Sequence, residues 1–269
     1  SIFAVRGASD RLFAGRCDGG CVEGKVVIVS EDRQGHWGRI DVHSHLLPGV
    51  DDGCDSLEES IRCARELVRA GYTHSFCTPH FWPALSNTVA SVTQHVTRLQ
   101  QAFDDAAVPL TLYPGGEMNL RPGFIDTPPA DLPTFNMAGK YAMFDIWADR
   151  LPEHFEPSVR WMQSLGLTVI LAHPERMRAV QLDPALADYF AELGLLLQGN
   201  LQCLGDPPHT ATRQISERYL QEDRYFMLGM DLHNHRSLPV RLAGLSHAMD
   251  VVGNVAVDRL TIHNPAKLL

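Results

Sequence analysis

From residue 39 onward, short apolar runs alternate with longer amphipathic stretches, and that alternation predicts the architecture. RIDV (39–42), HSFCT (74–78), LTLYP (110–114), YAMFDI (141–146), TVILA (168–172), LLLQG (195–199) and YFMLG (225–229) have the length and apolar content of buried strands. The clearest helix between them is DSLEESIRCARELVRAG. In it Ser56 and Glu59 form a capping-box pattern, Ile61, Ala64, Leu67 and Val68 share one face, and Gly71 stands where a C-cap belongs. SNTVASVTQHVTRLQQAFDDA predicts a second helix, and 153–165, 183–193, 209–221 and 236–249 predict four more. Continuous apolar strands alternating with helices imply parallel pairing under helical cover. The expected class is therefore α/β. Seven strands suggest a barrel with one unit fewer than the common eight, and an open doubly wound sheet is the alternative. Residues 1–38 read differently, with frequent Gly and charge and only KVVIVS (25–30) resembling a strand. The expected division is an N-terminal extension over 1–38 and one domain over 39–269.

Composition narrows the function classes. The chain has 269 residues, 45% of them hydrophobic and 20% charged, which suits a folded domain with a sizeable core. Its formal net charge of −9 argues against a nucleic-acid groove, which needs a basic footprint. An anionic substrate would then need local positive charge from metals or arginines. The six cysteines lack framework spacing apart from CDGGC at 17–21, and they read as reduced thiols of a cytoplasmic protein. CDGGC has the look of half a zinc site, but no second Cys or His pair lies near it in sequence. No apolar run approaches the roughly 20 residues needed to span a bilayer, so an integral membrane protein is not expected.

The chemistry is concentrated just after the strands. His43 and His45, then Asp51 and Asp52, follow the first; His80 follows the second and Glu117 the third. His173 and Arg176 follow the fifth, and Asp231, His233 and Arg236 the seventh. In parallel α/β folds the carboxyl ends of strands converge on one face, where sites are built. A lone His-x-His is weak evidence, because His43 and His45 could simply end a strand. Likewise His80 could be a turn residue, His173 a core histidine and Glu117 a turn cap. Five of seven strand ends carrying such groups, in a chain with 13 histidines, is a much stronger joint signal. Alternation along a strand points His43 and His45 the same way, and Asp231 and His233 repeat the i, i+2 spacing.

Imidazoles and carboxylates without cysteine suit manganese, iron or zinc in a catalytic site rather than closed structural zinc. Eight candidate ligands (His43, His45, Asp52, His80, Glu117, His173, Asp231, His233) are too many for one ion. Two or three ions sharing Glu117 as a bridge is the economical reading. The helical His95 and His247 are expected to be solvated, His36 and His74 show no partner pattern, and His235 stays ambiguous beside His233. Cys203, Ser44 and Ser164 lack the elbow or adjacent base that nucleophilic catalysis needs.

DVHSHLLPGVDDG, TPH, GGE, AHPER and MDLHNHR, in this order and spacing, resemble the polymerase and histidinol phosphatase (PHP) superfamily. Within it, HSHLLPGVDDG and the terminal NPAKLL are most similar to bacterial metal-dependent protein tyrosine phosphatases of capsule and exopolysaccharide loci, over about residues 39–269. The resemblance implies a distorted seven-stranded β/α barrel with a trinuclear centre, usually activated by manganese. It implies that His43, His45, Glu117 and Asp231 hold one ion, that Glu117, His80 and His173 hold a second, and that Asp52 and His233 contribute to a third. Arg176 would contact the phosphate, with Arg236 as a second candidate whose position so close to His233 departs from the expected pattern. Water activated by the ions would then attack phosphorus. The implied partner is a phosphotyrosine protein, such as a bacterial tyrosine kinase tail, met in the cytoplasm. Two other readings compete: a PHP phosphoesterase acting on a small metabolite such as histidinol phosphate, and a non-catalytic metal-binding module. A complete ligand set argues against the second of these.

Overall fold

A computed structural model describes residues 38–269. The expected strand KVVIVS, the CDGGC pair and His36 lie outside the described residues.

Among the described residues, nine strands make up two parallel sheets. β1 (Arg39–Ser44), β2 (Tyr72–Cys77) and β4 (Thr111–Pro114) form a three-stranded sheet in the order β1-β2-β4. β3 (His80–Phe81), β5 (Glu117–Asn119), β6 (Tyr141–Asp145), β7 (Thr168–Ala172), β8 (Leu196–Asn200) and β9 (Met227–Gly229) form the second, in that order. All seven expected strands are present, and every pairing is parallel. The two additional strands, β3 and β5, arise where two of the expected strands are broken. After β2, Pro79 lacks the N–H that a ladder requires, so pairing stops and resumes at His80. After β4, Gly115 and Gly116 intervene before Glu117. The breaks are bonded to one another: Gly115 N donates to Cys77 O at 2.9 Å, and Glu117 N donates to Pro79 O at 3.0 Å. His80 then registers with Glu117, and Phe81 with Met118. Each broken strand thus leaves one sheet and enters the other at the residue that bears a candidate ligand.

At the opposite edge, the segment after β9 returns to β1. Asp231 N donates to His43 O at 2.7 Å, His45 N donates to Leu232 O at 2.9 Å, and Ser44 and Leu232 form an isolated parallel bridge.

Packing explains why the strand sequences are apolar throughout. Along β7, Val169 and Leu171 belong to the large cluster that the helices cover, whereas Ile170 and Ala172 belong to a smaller one. That smaller cluster joins Ile40 and Val42 of β1, Phe76 of β2, Met143 of β6 and Met227 of β9, so both sheets contribute to it. Leu268 closes it from the terminal helical turn Pro265–Leu268. Each such side chain, fully buried, stabilises the fold by about 1.5–3 kcal/mol.

The six expected helices are found at Leu57–Arg69, Val89–Asp105, Phe155–Ser164, Leu186–Glu192, Ala211–Gln221 and Leu238–Val252. The capping box at Ser56 forms only in part. Ser56 accepts from Glu59 N, but the Glu59 carboxylate takes both the backbone N–H (2.9 Å) and Nδ1 (2.6 Å) of His235 instead of reaching back. This tertiary contact wins over the local cap and ties the first helix to the loop carrying His233. Gly71 has φ of +87°, as the C-cap reading requires.

Candidate metal centre

Seven of the eight candidate ligands are gathered by the ends of β1, β3, β5, β7 and β9, and Asp52 joins them from the loop after β1. His43 Nε2 and His45 Nε2 lie 3.4 Å apart, so the i, i+2 pair does converge. Glu117 sits at the middle of the group and is buried. Its Oε1 is 2.8 Å from His173 Nε2, and its Oε2 is 3.2 Å from His43 Nε2 and 3.0 Å from His80 Nδ1. Asp231 Oδ1 lies 3.3 Å from His45 Nε2 and 3.5 Å from both His43 Nε2 and His233 Nδ1. Asp52 Oδ1, at the exposed rim, is 3.3 Å from His80 Nε2 and 3.4 Å from His233 Nε2.

Donor atoms this close fall into three overlapping groups with ion-holding spacing: His43, Glu117 and His173; His43, His45 and Asp231; and His45, Asp52, His80 and His233. The grouping differs from the one the resemblance implies. His80 stands between Glu117 on one ring nitrogen and Asp52 on the other, and it groups with the rim residues. The donors fit divalent cations in a direct test: Glu117 Oε2 and His80 Nδ1 are both buried without a hydrogen-bond partner. Native proteins rarely strand buried polar atoms unless something else satisfies them. Backbone strain coincides with the site, because His173 (φ +33°) and Asp231 (φ +49°) both hold left-handed conformations that non-glycine residues avoid.

A second layer orients these ligands, and sequence reading assigned most of it no role. His45 Nδ1 is 2.7 Å from Asp51 Oδ2, which also accepts from His80 N. His43 Nδ1 is 2.8 Å from Gln198 Oε1 on β8. Each such bond favours the tautomer whose Nε2 lone pair faces the cluster. Asn200 Nδ2 and Arg176 Nη1 both donate to Asp231 Oδ2, at 2.8 and 2.7 Å. Asp41 accepts from the backbone of Met230 and His43, and burial pushes its carboxyl up to about 6. The available signal is position: Asn200 and Asp145 also end strands, and Gln198 lies two residues before the end of β8. Glu175, in the AHPER run, is buried and accepts from Asn200 N and Tyr225 Oη.

Opposite charges within the cluster shift each other's protonation. Burial opposes ionising His45, but bonds to Asp231 and Asp51 outweigh it and hold its pKa well above the ordinary value. Burial likewise opposes charge on Glu117, but His43, His173 and His80 hold its carboxyl well below the usual range. In the absence of ions, protons therefore occupy part of the place a cation would take.

Arg176 stands at the edge, 40% exposed, with its guanidinium 5.8 Å from the Trp147 ring centre. Arg236 is exposed on the turn His235–Ser237, three residues after His233, and has no polar partner among the described residues. His235 is held by Glu59. Cys77 and Cys203 are buried, and burial holds both thiols above the ordinary range, which does not suit a nucleophile. No helix among the described residues is long and apolar enough to cross a membrane.

Residues 39–269 match the model of a family described as "Capsular polysaccharide synthesis, CpsB/CapC". The tyrosine-protein phosphatase YwqE of Bacillus subtilis is 27% identical over 197 residues, covering 72% of this chain and 77% of YwqE. The tyrosine-protein phosphatase CpsB of Streptococcus agalactiae is 24% identical over 241 residues, covering 86% of this chain and 98% of CpsB. Among solved structures, a chain described under YwqE from Bacillus subtilis and CpsB from Streptococcus pneumoniae, "unique metal-dependent tyrosine phosphatases", superposes with a TM-score of 0.77 at 26% identity. That superposition covers 86% of this chain and 94% of the other.

Proposed function

The chain belongs to the CpsB/CapC family of capsular polysaccharide synthesis, and from that premise we propose that it is a metal-dependent protein tyrosine phosphatase. The observation that carries the reading is the convergence of seven imidazole and carboxylate groups around Glu117 with an arginine at their rim. We assign the site residues as follows: His43, Glu117 and His173 hold one ion, His43, His45 and Asp231 a second, and His45, Asp52, His80 and His233 a third. The nitrogen–oxygen donor set suits manganese, with iron and zinc as substitutes. Bound ions supply charge neutralisation and a nucleophile generated from water at neutral pH.

The remaining work falls to the chain itself. Arg176 spends Nη1 on Asp231, which aims its fork, and keeps its other N–H groups for phosphoryl oxygens. Asp51, Gln198 and Asn200 fix the ligand orientations. A tyrosyl leaving group, with a pKa near ~10, needs less proton assistance than a serine alkoxide. We read the two sheets as one distorted seven-stranded barrel, supported by the strand breaks at Pro79 and Gly115–Gly116 and by the Ser44–Leu232 bridge. Residues 39–269 form the phosphatase domain. The substrate is a tyrosine-phosphorylated segment of a bacterial kinase that controls polysaccharide export, met in the cytoplasm.

The test compares manganese-loaded protein on a phosphotyrosine peptide, a phosphoserine peptide and histidinol phosphate. Preference for phosphotyrosine is expected; equal or faster turnover of histidinol phosphate overturns the reading.

A further inference from the structure

A chain of ring contacts leaves the ligand cluster at one residue and returns to it at another. His80 stacks on Trp82 with ring centres 3.9 Å apart, and Trp82 meets Trp147 edge-to-face at 6.5 Å. Trp147 lies under the Arg176 guanidinium, and Arg176 is bonded to Asp231. Two members of this arc, Trp147 and Arg176, line a cleft of about 380 Å³ together with Asp145, Asp149, His173 and Met177. Two of these, His173 and Arg176, also belong to the site just described, so the cleft opens directly from it. A phosphoryl group alone fills only a small part of such a space.

Trp147 is the unusual member. Its indole Nε1 donates to Asp145 and its ring lies under a cation, so its orientation is held from two sides. Yet 67% of the residue is exposed. Holding a large aromatic ring in place while leaving it in water gains nothing for the fold, since burial is what stabilises such a ring. A held and uncovered indole is suited to stacking on a ring that arrives from outside. The half-exposed Arg176 beside it is placed to grip the anionic end of the same molecule.

We infer that this cleft is an aryl-binding subsite, in which Trp147 receives the ring of an aryl phosphate whose phosphoryl group meets Arg176 and the cluster. The inference rests on the phosphatase reading and gives it a cause for selectivity: an alkyl phosphate of the same charge leaves the indole in water. Trp147 is a binding residue for the ring and takes no part in bond cleavage.

The test needs no turnover. Phenylphosphonate and methylphosphonate carry similar charge and differ in the ring. Their dissociation constants for the full-length, manganese-loaded chain are measured by calorimetry, and metal content is determined in every variant. The wild type should favour phenylphosphonate by roughly three- to tenfold, the range an aromatic pair supplies. Trp147→Ala should bring the ratio close to one with metal content kept, and Trp147→Phe should restore most of it. An unchanged ratio in Trp147→Ala, or no preference in the wild type, overturns the subsite. The outcomes separate from those of the functional reading. If a phosphotyrosine peptide is cleaved while the two phosphonates bind equally, the subsite falls and the phosphatase stands. A Trp147-dependent ratio in a chain that cleaves no phosphotyrosine peptide does the reverse.

Discussion

Glu117 Oε2 and His80 Nδ1 lie 3.0 Å apart in the buried centre of the cluster, and neither has a hydrogen-bond partner. The two residues register across β3 and β5, the short strands that form after the chain breaks at Pro79 and at Gly115–Gly116. Two buried acceptor-capable atoms facing each other cost the fold free energy unless a cation or a proton lies between them. Glu117→Gln keeps the shape and removes the charge. It should lower both metal occupancy and turnover by about a hundredfold or more, above the range for residues that only support a ligand. Elemental analysis alongside phosphatase assay checks this, and a variant that keeps its full metal complement would remove Glu117 from the ligand set.

Arg176 should separate phosphate handling from metal binding. Asp231 keeps its bond from Asn200 Nδ2 when Arg176 is removed, so the carboxylate stays oriented. Arg176→Ala should cut kcat/KM by roughly 10²–10³, the usual loss for one donor aimed at developing charge. Arg176→Lys should recover little, since an ammonium cannot present the fork. Metal content should not change; loss of metal in Arg176→Ala contradicts the assigned role.

The orienting layer should matter nearly as much as the ligands. Asp51→Asn leaves a side chain of the same size beside His45 Nδ1 but removes the charge that favours Nδ1–H. Manganese affinity is expected to fall about 10- to 100-fold, as is expected for Gln198→Ala through His43. Titration of metal-stripped protein followed by calorimetry measures both. Wild-type affinity in Asp51→Asn would mean that packing alone orients the ring.

The stabilisation given by manganese should grow with pH. In metal-free protein His45 has a raised pKa, so its contribution is fully present below the unfolded value near ~6.5 and is lost as pH rises through the folded value. Glu117 behaves oppositely: its depressed pKa contributes above the unfolded value near ~4.3 and fades only as pH falls through the folded one. Between pH 6 and 8 the metal-free form therefore weakens, while metal binding, which must displace those protons, strengthens. Thermal melts with manganese and with chelator at several pH values should show a widening gap, and a gap that narrows with pH would refute this coupling.

Gly53 has a steric reason to be glycine. A Cβ there would meet His45 O at 2.3 Å and His45 Cβ at 2.4 Å, both on a ligand-bearing segment that cannot yield. Gly53→Ala is expected to cost about 1–3 kcal/mol, as overpacking does, and to reduce metal occupancy by displacing His45. Chemical denaturation read beside metal content tests it; unaltered stability would show that the loop 49–54 relaxes freely.

How much of this was legible beforehand follows from how far apart the interacting residues lie along the chain. The strand and helix pattern, the order of the polar strand ends and the pairing of His43 with His45 are local properties, set by side-chain periodicity within a few residues. They were enough to name the eight residues that the fold gathers and to expect an α/β fold. Tertiary structure alone decided the rest. Proline and glycine at the breaks split two strands between sheets, Glu59 chose His235 over its own helix cap, and Trp147 was held beside Arg176. His80 joined the rim group because its ring lies between Glu117 and Asp52, and Gln198 and Asn200 found roles across gaps of 155 and 31 residues. Hydrogen bonding and charge pairing act over a few ångströms in space, and only the folded chain determines which distant residues come within that reach.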